Sequence, residues 1–205
     1  DDHFTISTAD VTLQNTLITG NLYLTADIKE GIITLNKVEI QGEVIIAGGS
    51  KFTLHLIDSS MVRVTVQESG DVVTIIAQGS TTVDNVDIMA GTTLQEDDLI
   101  DSALGFKNVK VNTDKKVVLL GDFIGVDIVA KAANVKVVKG NVASISIKKS
   151  AANTELDLAK DVRVERLSLE AVMTLIGEGS VDTVNLNTPG LVKLQGSLGE
   201  VAMQV

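Results

Sequence analysis

The densest group of side chains that could do chemistry is acidic. Glu96, Asp97, Asp98 and Asp101 place four carboxylates in six residues, and calcium takes about six to eight oxygen ligands from a compact segment. The spacing is not that of an EF-hand loop, because the alternate-residue ligands and the turn glycine are missing. We therefore predict an inserted acidic loop at residues 95–105. Calcium is the candidate ion there, and no cofactor is otherwise required.

Other catalytic chemistry has little support in the residue types. The chain contains no cysteine, which excludes thiol catalysis and cysteine-based zinc or iron–sulfur sites. His3 and His55 are the only imidazoles, and neither has an obvious serine or histidine partner for nucleophilic catalysis. No glycine-rich phosphate loop or GxSxG motif occurs. The sequence predicts a protein that is not itself an enzyme.

Charge is unevenly distributed along the chain. The net charge is −10 overall, but residues 107–166 carry 12 basic and 7 acidic side chains. Nucleic-acid binding needs clustered cations and, for single strands, stacking rings, whereas aromatic residues make up only 2% of this chain. We expect no nucleic-acid partner, and the absence of any apolar run of about 18 residues predicts no membrane insertion. The net positive charge of residues 107–166 allows an anionic polymer as a binding partner, although a band of solvated lysines is the simpler interpretation.

A six-residue pattern, apolar-x-x-apolar-x-apolar, repeats along the chain. It occurs at residues 61–66, 83–88, 106–111, 123–128, 142–147, 164–169, 181–186 and 198–203, with looser forms at 20–24 and 42–46. Corresponding positions recur every 17 to 23 residues, and a second short alternating run precedes most of them by roughly ten residues. Alternation with a period of two indicates strands with one face inward.

Coils of about twenty residues are too short for a strand and a crossover helix. We therefore predict an all-β fold, a single-stranded parallel β-helix solenoid of about eight to ten coils with right-handed winding. The whole of residues 1–205 is predicted as one β-helix domain, excised from a larger multimodular protein, with residues 1–10 as an N-terminal cap. Phe106 and Phe123 occupy the same position of adjacent coils and are predicted to stack in the core.

Stacking of the coils predicts two outward rows of polar side chains on the main strands. A flat face of amides, hydroxyls and alternating charges could hydrogen-bond an extended polysaccharide. The simpler alternative is a solvated sheet face. The candidate carbohydrate-binding residues on this face are Tyr23, Arg63, Asn85, Asp87, Asn108 and Lys110.

A hydrolytic pair of carboxylates on this face is disfavoured. Asp87 and Asp127 would lie two coils apart, about 9.6 Å, near the upper limit for an inverting glycosidase. Lys110 would lie between them, where the water and the sugar must go. The three charges are better explained as stabilising neighbours on adjacent strands.

The repeats at residues 20–49, 52–97 and 180–205 resemble a β-helical repeat domain of Gram-positive surface proteins, which commonly accompanies S-layer homology domains. Within that class the chain is similar in character to carbohydrate-binding module family 54, found in a multimodular clostridial β-1,3-glucanase. The resemblance implies a non-catalytic module that attaches a cell-surface polysaccharide hydrolase, such as an endo-β-1,3-glucanase, to insoluble β-1,3-glucan, xylan or chitin. It transfers no specific binding residue.

The resemblance also implies a location and partners. We expect a secreted protein of the bacterial cell surface whose partners are polysaccharide and covalently linked catalytic and surface-anchoring domains. Sugar-binding platforms commonly use several exposed aromatic rings, whereas Tyr23 is the one aromatic residue that the pattern turns outward. The alternative function is a passive structural stalk or spacer of an S-layer-type protein, which would bind no ligand.

Overall fold

The computed structural model describes residues 3–47, 51–67, 71–101 and 105–187, and the backbone of residues 192–194 and 197–202. Every element in this part of the chain is a strand. The strands are β1 (Phe4–Ile6), β2 (Val11–Ile18), β3 (Leu22–Leu24), β4 (Gly31–Ile46), β5 (Phe52–Ile57), β6 (Ser60–Val66), β7 (Val73–Gly79), β8 (Thr82–Ile88), β9 (Thr92–Leu99), β10 (Gly105–Val111), β11 (Lys116–Leu120), β12 (Phe123–Ile128), β13 (Asn134–Lys139), β14 (Asn141–Ile147), β15 (Thr154–Leu158), β16 (Arg163–Leu169), β17 (Met173–Gly177), β18 (Ser180–Leu186), β19 (Val192–Leu194) and β20 (Ser197–Ala202).

The predicted all-β class and parallel solenoid are confirmed, because the chain forms a parallel β-solenoid of about eight turns, and the right-handed winding stays a prediction. It divides into two compact units, Asp1–Lys107 (unit 1) and Asn108–Val205 (unit 2). In unit 1, β4 pairs in parallel with β6 and β6 with β8, while β5 pairs with β7 and β7 with β9. In unit 2, β12, β14, β16 and β18 pair successively in the same way. A coil thus contributes a main strand and a second strand, which are continuous in β4, where residues 31–36 pair with β5 and residues 39–46 with β6.

The inward positions of the repeat form the core of each unit. In β6, for example, Met61, Val64 and Val66 are at most 3% exposed, whereas Val62 and Arg63 between them face solvent. Two consecutive outward residues place a bend in the strand, which explains the unequal spacing of the pattern. Full burial of a Val, Leu or Ile side chain contributes roughly 1.5–3 kcal/mol, so stacked rows of these residues account for much of the stability.

Two large aromatic side chains were predicted for the core, and both are buried. Phe106 is 1% exposed in unit 1, and Phe123 is 3% exposed in unit 2. An aromatic ring that is removed from water in this way stabilises the coil that carries it. Neither ring is therefore available as a platform for a sugar.

The N-terminal segment contributes a strand to the same row as the main strands. Within the predicted cap at residues 1–10, β1 pairs in parallel with β3, Phe4 lying opposite Leu22 and Thr5 opposite Tyr23. Phe4 is 41% exposed, although it lies opposite the buried Leu22.

The segment predicted as an acidic loop, residues 95–105, differs from that prediction at both ends, since residue 105 already belongs to β10. Residues 95–99 belong to β9, which pairs with β7. Glu96 occupies an inward position and is 8% exposed, and its Oε1 accepts the Phe106 N–H at 2.9 Å. A satisfied acceptor of this kind lets a carboxylate continue the inward row, whereas sequence polarity alone indicated a loop. Residues 102–104 lie outside the described residues.

A pair of buried hydroxyls links coils of unit 1 at a corner. Thr81 Oγ1 accepts the Ser59 N–H at 3.2 Å and donates to the Leu56 carbonyl at 2.9 Å. Ser59 Oγ in turn accepts the Val38 N–H at 3.0 Å. Ser59 and Thr81 are 1% and 0% exposed. Their side chains satisfy backbone groups that would otherwise be buried without partners.

No helix in the described ranges is long and apolar enough to cross a membrane.

Candidate functional site

The main strands of unit 1 carry two outward rows, which we call the unit-1 ladder. Its register is the one that the repeat predicts: Tyr23 lies opposite Ile45, Ile45 opposite Thr65 and Thr65 opposite Asp87. In the neighbouring row, Glu43 lies opposite Arg63 and Arg63 opposite Asn85. Four of the candidate binding residues, Tyr23, Arg63, Asn85 and Asp87, therefore share one face of this unit.

Tyr23 is held rigidly at the start of the ladder. Its ring packs edge to face against His3, with 5.9 Å between the ring centroids and 66° between the planes. Its hydroxyl accepts a hydrogen bond from Asn21 Nδ2 at 3.1 Å, and His3 Nδ1 accepts the Asn21 N–H at 2.9 Å. The two rings form a small aromatic cluster with fixed geometry.

Sequence reasoning missed the part that His3 takes in this cluster. The signal that could have found it is the pairing of β1 with β3, which continues one residue back to place His3 beside Asn21. Residues 4–6 are too few for the repeat to be visible in them.

The charges of the unit-1 ladder are largely compensated, and among the charged side chains Arg63, Asp87 and Glu43 of its rows the carboxylate of Glu43 is the one left without a cation. Arg63 Nη1 forms an ion pair with Asp87, whose side chain is 17% exposed against 46% for Arg63. Thr65 donates to the Glu43 carboxylate, and Asn85 Nδ2 donates to the Val62 carbonyl at 3.3 Å. Arg63 presents five N–H donors in a planar fork, so it can bind a further acceptor while it keeps its aspartate. The ladder is a fixed set of donors and acceptors with little net charge.

The main strands of unit 2 carry a second polar face. Its rows, called the unit-2 face, are in continuous register. One row contains Asn108, Gly125, Ser144, Arg166 and Thr183, and the other contains Lys110, Asp127, Ser146, Ser168 and Asn185.

Small residues lie between long ones on the unit-2 face. Gly125, Ser144 and Ser146 occupy consecutive coils, while exposed Lys110 and Arg166 lie to either side along the rows. The result is a surface of low relief, lined by hydroxyls, on which an extended polymer could lie. The two remaining candidates, Asn108 and Lys110, are exposed at its first coil.

The aspartates of these faces are engaged in ion pairs. Asp127 accepts from Lys148 Nζ at 3.1 Å, as Asp87 does from Arg63. Lys110 lies opposite Asp127 in the register. Carboxylates tied to cations in this way have the arrangement of structural charge pairs rather than that of a general acid and base.

Another ion pair lies outside both rows. Arg163 donates to both carboxylate oxygens of Asp182, with Nη2 to Oδ2 at 2.6 Å and Nε to Oδ1 at 3.1 Å. The hydrogen bond from the Arg163 guanidinium lowers the pKa of Asp182 below its ordinary value, and the same contact raises the pKa of Arg163. Bidentate pairs of this kind fix orientation as well as charge.

The acidic candidates for a metal site are spread over two sides of a strand. Glu96 points inward, whereas Asp97 accepts from Gln78 Nε2 at 3.5 Å. Asp98 and Asp101 are exposed beyond them. No cluster of three or more histidine, aspartate or glutamate side chains suited to a metal occurs among the residues whose placement is described. The calcium site stays a prediction.

His55, the remaining imidazole, faces outward on β5. Its Nδ1 lies 3.3 Å from Gln78 Oε1 in the next coil. His55 therefore has a structural role, because this contact is a side-chain hydrogen bond between neighbouring second strands.

The fold and the faces define a class, a β-solenoid module with polar outward rows, and the comparisons with known proteins agree with it. No protein-family model and no curated protein matches the chain. A solved structure of chitinase ChiW from Paenibacillus sp. str. FPU-7 matches the chain, with 28% sequence identity and a TM-score of 0.61. The match covers 71% of this chain and only 14% of that one. That protein is described as a bacterial cell-surface-expressed multi-modular enzyme machinery. This chain is therefore similar to part of a multi-modular cell-surface enzyme.

Proposed function

We propose that this chain is a non-catalytic carbohydrate-binding module that attaches a cell-surface polysaccharide hydrolase to insoluble polysaccharide. The observation that carries the proposal is the pair of polar outward faces, whose register keeps donors and acceptors at the spacing of successive strands, about 4.8 Å. The similarity to part of a cell-surface chitinase supports chitin as one ligand. Xylan and β-1,3-glucan follow from the resemblance to carbohydrate-binding module family 54.

The unit-1 ladder supplies what a sugar chain needs for recognition. The fixed Tyr23 ring offers an apolar surface for a pyranose, and Arg63 and Asn85 offer donors to its hydroxyls. Tyr23 is already hydrogen-bonded to Asn21, Arg63 to Asp87, and Asn85 to the Val62 carbonyl. Little side-chain entropy is therefore lost when a ligand binds. The same pre-organisation suits a rigid, insoluble polymer.

The proposal extends to the setting of the module. It places the chain on the outside of a bacterial cell, joined covalently to catalytic and surface-anchoring domains of the kind that accompany S-layer homology domains. Its activity is binding, and hydrolysis belongs to the linked catalytic domain.

The test is retention of the pure module on insoluble chitin, xylan, β-1,3-glucan and cellulose, repeated with EDTA. We expect retention on at least one polymer, and loss with EDTA would assign a role to the carboxylates at residues 96–101. Arg63→Gln is expected to weaken retention about tenfold, equivalent to about 1.4 kcal/mol. Arg163→Gln is the matched control, since it also removes an arginine ion-paired to an aspartate of the next coil, but outside the rows.

A passive spacer is the second candidate. It is favoured by the ion pairs themselves, because Arg63–Asp87 and Arg163–Asp182 satisfy outward charges without any ligand. A spacer predicts no retention on any of the four polymers and equal behaviour of the two arginine variants. Either result would refute the binding proposal for the unit-1 ladder.

A further inference from the structure

One corner of unit 2 concentrates lysine side chains. The main strands around it are in register through Val111, Ile128 and Ile147, and the second strands through Lys116, Asn134 and Glu155. The three turns between these strands therefore stack on one another. We call this feature the lysine corner; its members are Lys115, Lys116, Lys131, Lys148 and Lys149.

Backbone and hydroxyl bonds hold the three turns in place. Ser150 Oγ donates to the Val129 carbonyl at 2.6 Å, and the Ala132 N–H donates to the Ala152 carbonyl at 2.9 Å. In the first turn, Thr113 Oγ1 accepts the Lys115 N–H at 3.1 Å. The lysines are thus mounted on a rigid scaffold rather than on loose loops.

The positive charge of this corner is only partly compensated. Lys148 Nζ pairs with Asp127 at 3.1 Å, and Asp114 lies beside Lys115 in the first turn. Glu155 lies near the start of the third second strand, opposite Asn134, and Glu170 follows Leu169, which lies opposite Ile147, so the five lysines face four carboxylates. The lysines outnumber these carboxylates, and Lys115, Lys116, Lys131 and Lys149 are exposed. A local excess of cations stands out in a chain whose net charge is −10.

We propose that the lysine corner binds an extended polysaccharide that carries carboxylate or phosphate groups. Lysines on three successive coils form a strip about 10 Å long, along which flexible ammonium groups can follow regularly spaced anions. The net negative charge of the protein repels a polyanion at long range, and the Debye length is about 8 Å at physiological salt. A bound polyanion is therefore attracted chiefly by the cations within about one Debye length of it, which at this corner are the lysines of the strip.

Single-stranded nucleic acid fits the corner less well than a polysaccharide does. Sequence-tolerant binding of such strands uses aromatic rings on which the bases stack. Over residues 108–187 the aromatic side chain present is Phe123, which is 3% exposed. The lysine corner offers charge without stacking.

The corner adjoins the unit-2 face, because Lys148 pairs with Asp127 of that face, but Lys115, Lys116, Lys131 and Lys149 lie outside its rows. Failure of this proposal would therefore leave the one for neutral polysaccharide intact. The probes are fluorescently labelled polygalacturonate and polyphosphate, with fully methyl-esterified polygalacturonate as the neutral counterpart. We expect the wild-type chain to bind both anionic probes at 50 mM salt and to show no binding of the methyl-esterified polymer. Raising the salt to 200 mM is expected to weaken binding roughly tenfold or more, as for polyanions that contact three or more cations.

Two variants with the same change in net charge test whether the anionic probes bind at the lysine corner. The corner variant combines Lys115→Ser, Lys116→Ser, Lys131→Ser and Lys149→Ser, and the control variant combines Lys29→Ser, Lys51→Ser, Lys139→Ser and Lys160→Ser, all exposed positions. We expect at least tenfold weaker binding in the corner variant and less than twofold in the control. Circular dichroism of both variants checks that the fold is retained.

Several outcomes would overturn the proposal. These are no binding of either anionic probe at 50 mM salt, equal losses in the two variants, or tighter binding of oligo(dT) or of anionic phospholipid vesicles than of polygalacturonate. Tighter binding of oligo(dT) would reassign the corner to nucleic acid, and tighter binding of the vesicles would reassign it to a membrane surface. Retention on insoluble neutral polymers, measured separately, is expected to be the same in both variants.

Discussion

Replacement of Thr81 by valine tests the buried hydroxyl pair at the corner of unit 1. Valine conserves the volume, so no cavity forms, but the acceptor for the Ser59 N–H and the donor to Leu56 are lost. Because Ser59 is 1% exposed, water cannot replace the lost partner. A buried donor left unsatisfied costs about 1–3 kcal/mol. We therefore expect Thr81→Val to lower the free energy of unfolding by about 2 kcal/mol.

Urea unfolding measures this loss. With a slope of about 2–3 kcal/mol per molar urea, the midpoint is expected to fall by about 0.7–1 M. Coils of a solenoid contact mainly their neighbours, so amide exchange is expected to accelerate in β6 and β8 and to stay unchanged in β14 and β16. Thr82→Val is the control, since Thr82 is half-buried on the outward side and its replacement is expected to change stability by less than about 0.5 kcal/mol. Equal midpoints for Thr81→Val and the wild type would refute the reasoning.

Three further predictions concern single positions. Gly140→Ala is expected to cost about 2–3 kcal/mol of unfolding free energy, because φ is +98° and a Cβ would lie 1.9 Å from the Gly121 carbonyl oxygen; an unchanged midpoint in urea would contradict this. The pKa of Asp58 is held below its ordinary value of 3.8, chiefly by the hydrogen bond from the Ser80 backbone N–H and then by that from the Ser80 hydroxyl. The folded state is therefore expected to lose stability as pH falls below about 4, and carboxyl NMR titration of Asp58 with a midpoint at or above 3.8 would oppose the assignment. Ile145→Ala removes most of a fully buried side chain and is expected to lower the unfolding free energy by about 2–5 kcal/mol. Thermal unfolding measures this loss, and a melting temperature close to that of the wild type would contradict it.

The inward rows could be predicted from the sequence because burial imposes a repeating demand. Every coil must place apolar side chains at the same positions, as Val64, Val86 and Val126 do, and parallel register then follows from stacking. The outward rows follow from the same alternation, which puts Arg63 and Asn85 at equivalent positions of adjacent coils and so predicts that they lie side by side, as they do.

Contacts that depend on side-chain reach could not be predicted in this way. Arg63 pairs with Asp87 diagonally, two residues along the neighbouring strand, while the row itself places Asn85 opposite Arg63. Long side chains reach such diagonal neighbours, but the repeat gives no reason to prefer one of them. The loop prediction failed at Glu96 for a related reason, since a single backbone N–H makes a charged residue acceptable at an inward position.

The constant register of the main strands of unit 2 has an evolutionary consequence. A coil contacts its neighbours through the same backbone pattern and the same inward positions, so the gain or loss of one complete coil by unequal recombination would preserve both. Each such event would lengthen or shorten the outward rows by one strand spacing, about 4.8 Å. The number of coils that present outward side chains to a partner can therefore change by one at a time while the fold stays the same. The outward side chains of each coil can mutate independently of the core.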